Sequence, residues 1–405
     1  MKRLAVGVLA ALVLSVSFTG NTFAWHENIP FGAWFEIAGY KTEAERTALE
    51  IKALLKSFYY KDIDENDCTV KILQGDRDKW CLDRNSGIIK KEDIQLRQEE
   101  MRGKFGGAGI EISMQENNIV AKVVREDGPA YKAGIRNGDV LLEVDGKTLK
   151  GATLADTVRL IRGKIGTEVS IKVLRDGTEE IFKFLREQIK IEFLKSSFLY
   201  SNVGYMKLLV FEGDETQKEF YLALENFEKA MSNEKNKSLI VDIRDNPGGL
   251  LVMVENMLAL FTKNPDDILI TEVFKNNIKS SDKAGEIVEP HLIGRFKEFR
   301  VVVLVNGRSA SASEIFAGKM KELGYAVVGE KTFGKGTVQT EFGLSDGSIM
   351  HLTIAEYFVG NGEIKVDGVG VEPNFAVSGA GDPKSSAEIL HEDRQLQKAI
   401  ELLRK

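Results

Sequence analysis

The sequence predicts an α/β multidomain protein: a mostly helical N-terminal region, a small β domain with short helices, and an α/β core built on a central sheet and closed by a C-terminal helix. Three observations carry this. At 405 residues the chain exceeds what one compact core organises, and two or three domains are expected. From about residue 191 strand-like apolar runs alternate with helical periodicity, the mark of a largely parallel sheet. Between about 103 and 190, glycine-marked turns separate short strand-like runs.

The chain begins Met1-Lys2-Arg3, continues with an apolar stretch from Leu4 to about Val16, and reaches Asn21-Thr22-Phe23-Ala24. This is the layout of a secretory signal peptide over residues 1–24, with small residues at a cut after Ala24. The apolar stretch falls short of the ~20 residues a spanning helix needs, although an uncleaved anchor is a second reading. The mature chain is therefore expected in the periplasm or outside the cell. A formal net charge of −6 provides no basic field for phosphate backbones, so no nucleic-acid partner is expected and a peptide or small molecule fits better.

Residues 25–102 form the helical region. Ala44, Leu49, Ile51, Leu54 and Leu55 recur at helical spacing between Lys41 and Phe58, and a charged helical stretch runs from Lys91 to about Met101. These bracket Cys68 and Cys81, the chain's two cysteines. In an oxidising compartment they are expected to pair, stabilising by about 3 kcal/mol; two buried thiols are the alternative. No histidine or third cysteine lies near them in sequence, so no metal site is expected. This region shows no chemistry of its own.

Residues 103–190 open with Phe105-Gly106-Gly107-Ala108-Gly109 and the strand Ile110 to Ile112. Glycines there allow several N–H groups to converge on a carboxylate. Asp127-Gly128-Pro129-Ala130, Ala133-Gly134-Ile135 and Gly138-Asp139 follow, then an amphipathic helix from Leu154 to Ile161 and a strand from Glu168 to Leu174. In this order the stretch resembles a PDZ domain. The resemblance implies capture of an extended chain end by strand addition beside Ile110 to Ile112.

The remaining elements, 191–405, are strands at Val203 to Leu208, Ser238 to Ile243, Val301 to Val305 and Ala326 to Val328, with helices around Glu219 to Met231, from about Leu250, and from near Ser311. A hairpin is expected from Gly336 to Phe342 and Ser348 to Val359, turning at Asp346-Gly347. Ala387 to Leu403 reads as the closing amphipathic helix.

Within this core, Ser311 follows a strand and the turn Asn306-Gly307-Arg308, at a helix N-terminus where unpaired N–H groups and the helix dipole favour developing negative charge. Ser311-Ala312-Ser313-Glu314 is equally a capping box. Lys335 stands between Gly334 and Gly336 in a loop after a strand. A lysine acts as a base only if burial or nearby positive charge lowers its pKa, and Ser–Lys is a known nucleophile–base pair. Gln339, four residues on, can orient the lysine or a substrate carbonyl. The strand Val241 to Ile243 enters a glycine turn, Asp245-Asn246-Pro247-Gly248-Gly249, whose Gly248 and Gly249 N–H groups can form an oxyanion hole with that of Ala312.

Together these segments resemble the carboxyl-terminal processing peptidases, or tail-specific proteases, which are secreted serine peptidases carrying a PDZ domain. The resemblance runs from about Phe105 to the end and includes Gly329 to Gly336, Asp367-Gly368-Val369-Gly370-Val371-Glu372-Pro373 and Gln395 to Ala399. It implies that Ser311 is the nucleophile, Lys335 the general base and Gln339 its support, with no cofactor. Its implied partners are polypeptides with accessible C-termini; an adaptor protein and a homo-oligomer stay open. The interval from Ser311 to Lys335 is one residue shorter than is common in the family, which leaves Ser309 and Ser313 as rival serines, and the cysteine loop departs from the pattern.

Three other readings compete. A Ser-His-Asp hydrolase would need His26, His291, His351 or His391, none in a strong motif. Gly329 to Lys335 spells a phosphate-binding loop, but Gly336 stands where magnesium needs Ser or Thr. The third is a catalytically inactive PDZ-containing binding protein on a peptidase scaffold.

Overall fold

The computed structural model describes residues 42–75, 81–102, 104–190, 193–213, 215–379 and 393–404. The signal-peptide segment, His26, His391 and the predicted start of the last helix lie outside them. The chain divides into two compact units, one comprising the described residues through Ile94 together with those from Phe193 onward, the other Gln95–Glu192.

The first unit is built on a six-stranded sheet in the order Leu194–Tyr200, Val203–Leu208, Ser238–Asp242, Arg300–Val305, Ala326–Gly329, Phe375–Ala376. The first pair is antiparallel and the others are parallel. The central strands Ser238–Asp242 and Arg300–Val305 are near-continuous apolar runs because both faces are covered. Leu239, Val241, Val303 and Val305 pack with Phe220, Leu224, Val254, Ile315 and Phe316 from the helices Thr216–Ala230, Leu251–Ala259 and Ala312–Glu322. On the other face Ile240, Val302, Leu304 and Val328 pack against Leu396, Ala399, Ile400 and Leu403 of the closing helix Arg394–Arg404.

A second sheet centres on the long strand Ile349–Val359, flanked by Ile268–Phe274, Thr337–Gly343 and the short Gly87–Ile89. The sequence reading did not anticipate the antiparallel pair Ile268–Phe274 and Ile278–Lys283 or the strand Leu194–Tyr200. The helix Ala312–Glu322 is buried from Ala312 to Met320, contributing Ile315, Phe316 and Ala317 to the cluster that also holds Leu269, Ile270, Tyr357 and Val359 of the second sheet.

The N-terminal helix Glu43–Phe58 starts at Thr42, whose hydroxyl accepts the Glu45 N–H while the Glu45 carboxylate accepts that of Thr42. A further helix, Glu65–Leu73, capped by Asp64, carries Cys68. Both pack on the hairpin: Ile51, Leu54, Leu55, Cys68 and Ile72 share a cluster with Leu344, Met350 and Leu352. Cys68 is joined to Cys81 with Cα atoms 5.5 Å apart. The chain then runs along the long strand in register Gly87↔His351.

In the second unit, Ile110–Gln115, Asn118–Val124, Val140–Val144, Glu168–Arg175 and Thr178–Leu185 form an antiparallel sheet in that order. Positive φ at Asp176 and Gly177 makes the last hairpin turn tight. The helix Leu154–Ile161 has the bounds the sequence predicts. Lys104–Gly107 is not an open glycine loop. It forms a separate ribbon with Glu187–Lys190, in which the Arg162 guanidinium lies 3.9 Å from the Phe105 ring centroid. Of the residues Phe105, Gly106, Gly107, Ala108 and Gly109 expected to form a carboxylate nest, the first three lie in this ribbon, with the Gly106 carbonyl accepting the Gly163 N–H at 3.1 Å, and Ala108 and Gly109 follow it.

Candidate active site

Ser311 sits at the head of the helix Ala312–Glu322 with φ 55° and ψ −119°, a backbone conformation that costs a non-glycine residue on the order of 1–3 kcal/mol. Ser311 and Glu314 stand in a capping-box arrangement at this helix head. The Glu314 N–H bonds to the Ser311 carbonyl at 2.7 Å, and the Glu314 carboxylate accepts the Ser311 N–H at 2.8 Å. The rival serines are committed elsewhere. Ser309 Oγ donates to the Ile243 carbonyl at 2.8 Å, and Ser313 Oγ to that of Asn246 at 2.9 Å. Both are fully buried, whereas Ser311 is partly exposed.

Glu314 reaches further than the capping box suggests. Fully buried, it also accepts from Thr332 Oγ1 at 2.6 Å, the Gly334 N–H at 2.7 Å and the Lys335 N–H at 2.8 Å. Burial pushes its carboxyl up, and these four donors hold it back. Tyr357, on the long strand, closes the other side: its Oη lies 3.0 Å from the Ser311 carbonyl oxygen and 2.6 Å from that of Lys335, in position to donate to either. Burial raises this phenol well above its usual range, so it stays a donor.

Lys335 is half-buried, and burial lowers its ammonium below the ordinary lysine value; Asp83 and Glu314 oppose the shift and Arg84 reinforces it. Gln339 directs its amide nitrogen to Thr337 Oγ1 at 2.8 Å and Thr353 Oγ1 at 3.2 Å.

The glycine turn is laced to the serine turn. Asn306 Nδ2 and Arg308 Nε both donate to Asp245 Oδ1, at 2.7 and 2.6 Å, and the Ala310 N–H bonds to the Asn246 carbonyl at 3.0 Å. Gly248 has φ 109°, and a Cβ there would lie 2.8 Å from Ser311 Cβ and 3.0 Å from the Ala312 nitrogen. Of the three expected oxyanion donors, Gly248 is already engaged: its N–H donates to Asn246 Oδ1 at 2.9 Å. The N–H groups of Gly249 and Ala312 have no acceptor among the described residues.

Behind this turn, Asp242 and Arg244 form a buried pair, with Arg244 Nη2 2.6 Å from Asp242 Oδ2 and Arg244 Nη1 2.7 Å from Asp393 Oδ2 at the start of the closing helix. Burial would raise Asp242, but Arg244 and Lys207 hold it low. His351 Nδ1 faces Glu341 at 3.3 Å. No group of three or more His, Cys, Asp or Glu placed to hold a metal ion occurs among the described residues.

In the second unit Ile110–Gln115 is an edge strand, paired among the described residues with Asn118–Val124 alone. Ile110 and Ile112 are partly buried against the same cluster as Leu154 and Leu160 of the helix Leu154–Ile161.

Glu314, Tyr357 and Asp83 are neighbours of the site that the sequence does not single out, although Glu314 stands three residues after Ser311; Asn246 lies within the glycine turn that the sequence marks.

The model of peptidase family S41 matches residues 202–377, and that of the PDZ domain matches 120–175. A carboxy-terminal-processing protease of Bartonella bacilliformis is 32% identical over 301 residues, covering 73% of this chain and 67% of that protein. The carboxy-terminal processing protease CtpB of Bacillus subtilis is 32% identical over 331 residues, covering 80% of this chain and 66% of its own length. The chain thus spans about two thirds of these relatives. Among solved structures, a photosystem II D1 C-terminal processing protease superposes with a TM-score of 0.54 at 23% identity, over 88% of this chain and 100% of that one. An S41 protease of Bacteroides fragilis gives 0.52 at 15%, over 88% and 97%. The chain belongs to the S41 peptidases, in the group of carboxy-terminal processing proteases.

Proposed function

We propose that the chain is a serine endopeptidase acting through Ser311 and Lys335 on polypeptides whose C-terminal tails its PDZ domain captures. The observation that carries this is the Glu314 carboxylate, which binds the backbone N–H of both Ser311 and Lys335 and so fixes the two segments to one point. The neutral Lys335 amine takes the Ser311 Oγ proton as that oxygen attacks the scissile carbonyl. The Ala312 and Gly249 N–H groups receive the oxyanion, each contributing about 3 kcal/mol in the transition state. The Lys335 ammonium then protonates the departing amine, leaving an ester on Ser311. Water, deprotonated by Lys335, hydrolyses that ester and restores the serine.

Tail capture is supported by the open edge of Ile110–Gln115, which leaves backbone groups for an added strand, with Ala108 and Gly109 at its head for the terminal carboxylate. The N-terminal segment adds export to the reading, through cleavage near Ala24. No helix of the described residues is long and apolar enough to cross a membrane.

The test is mass spectrometry of a tagged polypeptide incubated with wild-type, Ser311→Ala and Lys335→Ala protein. Cleavage by wild type alone, dependent on a free C-terminal tail, is the expected result. Wild-type turnover by either variant contradicts the assignment, and tail binding without cleavage by the wild type favours the binding-protein alternative.

A further inference from the structure

One buried group beside the site is left unexplained by the pair Ser311 and Lys335. The Oδ2 oxygen of Asp83 is buried and has no hydrogen-bond partner. The rest of that residue is fixed: its Oδ1 accepts the Ser86 N–H at 2.9 Å, and its own N–H donates to Tyr59 Oη at 2.9 Å. A buried carboxylate oxygen without a donor is costly unless a positive charge answers it.

The arm that carries Asp83 is bound, residue after residue, to the elements that bear the candidate base. The Arg84 guanidinium lies 5.3 Å from the ring centroid of Phe333, two residues before Lys335. Asn85 Nδ2 donates to Thr337 Oγ1 at 3.2 Å, the same hydroxyl that Gln339 uses. Ser86 Oγ bonds to Thr353 Oγ1 at 3.2 Å and accepts the Thr353 N–H at 2.9 Å. Gly87–Ile89 then joins the sheet. Two residues upstream of Asp83, the Cys68–Cys81 bridge ties the arm to the helix Glu65–Leu73.

We infer that Asp83 is a positioning residue for the base: its carboxylate holds and stabilises the Lys335 ammonium formed when Ser311 gives up its proton. The inference rests on the Ser–Lys reading. During acylation the Ser311 O–H bond breaks, its proton bonds to the Lys335 Nζ lone pair, and the Ser311 oxygen bonds to the substrate carbon. The ammonium persists until the C–N bond breaks and the leaving nitrogen takes that proton. The negative charge of Asp83 stabilises this interval, and burial of Lys335 favours the neutral amine before it. The disulfide arm thereby gains a role: it delivers one fixed anion to the base from outside the peptidase core.

The charges that act on Lys335 are those of Asp83 and Arg84 from the arm and Glu314 from the nucleophile helix. Tyr357 bonds the Lys335 carbonyl and Asp367 the next N–H, that of Gly336. Asp83 raises the basicity of Lys335, and Arg84, which is exposed, lowers it.

The test is the pH dependence of kcat/KM for a fluorogenic tailed peptide, measured on the full chain. Asp83→Asn is expected to move the ascending limb to lower pH and to reduce the plateau by about tenfold. Arg84→Gln is expected to move the limb the other way, by less, with an effect that shrinks as salt is added. Asp83→Asn keeps the acceptor for Ser86; if it fails to melt cooperatively, Asp83→Ser, which also offers one, decides by the same measurement. A limb that superimposes on wild type overturns the inference. A wild-type rate in Lys335→Ala defeats the Ser–Lys reading itself, whereas an inert Lys335→Ala beside an unshifted Asp83 variant defeats only the role of Asp83.

Discussion

Glu314 and Tyr357 hold the same two residues from opposite sides. The carboxylate of Glu314 takes the N–H groups of Ser311 and Lys335, and the hydroxyl of Tyr357 serves their carbonyls. Serine and lysine come from different segments, a helix head and a loop between strands, so their separation depends on what bridges them. Tyr357→Phe keeps the buried ring and removes one bridge. It is expected to lower kcat about tenfold with KM little changed, since small misplacements of reacting groups are costly. Stability should fall by about 1 kcal/mol. Steady-state kinetics and urea melts check both.

Gly248 is placed where no side chain fits. At φ 109° a methyl group would lie 2.8 Å from both the Ala310 carbonyl oxygen and Ser311 Cβ. Gly248→Ala is therefore expected to push the serine turn away from the oxyanion donors, with a loss in kcat on the order of a hundredfold and a destabilisation of about 1–3 kcal/mol. A variant with normal turnover would show that this turn is not part of the site.

The closing helix is anchored to the core through Asp393, which accepts the N–H groups of Gln395 and Leu396 and pairs with Arg244. Asp393→Ala removes the cap and one partner of a buried guanidinium. It should cost about 2–4 kcal/mol, read by chemical denaturation. Asp393→Asn keeps the cap and should cost less.

Stability should decline as pH rises. Glu272 is raised to about 7 by burial and then by Asp282, and Glu255 to about 10 by burial, Asp282 and Glu272. Both values lie above the unfolded value of 4.5, so the folded protein retains protons that the unfolded chain releases. This stability is fully present below about 4.5; the Glu272 part is lost by about 7, and the Glu255 part continues to fall toward about 10. Glu255 Oε1 has no hydrogen-bond partner, so Glu255→Gln should flatten the alkaline decline in melting temperature. An unchanged slope would contradict this assignment.

Elements whose residues spell their own environment were legible in the sequence. The all-apolar strand Val301 to Val305, the amphipathic helix Leu154 to Ile161 and the Asp346-Gly347 hairpin needed no partner to be recognised. The serine, the lysine and the glycine turn were legible as motifs. Their connections were not, because these depend on residues far apart in sequence: Tyr357 reads as an ordinary strand tyrosine, and Asp83 as a loop acid. Both matter only through what folding brings beside them. The engaged N–H of Gly248 is likewise invisible until the Asn246 side chain is seen folding back onto it.

The most direct measurement is covalent. An acid-quenched reaction with a reactive peptide thioester, followed by peptide mapping, locates any acyl group on the enzyme. The account predicts acylation on Ser311, absent from Ser311→Ala and not accumulating in Lys335→Ala. Acyl transfer to Ser309, Ser313 or another residue, or cleavage that proceeds unchanged without Lys335, would contradict it.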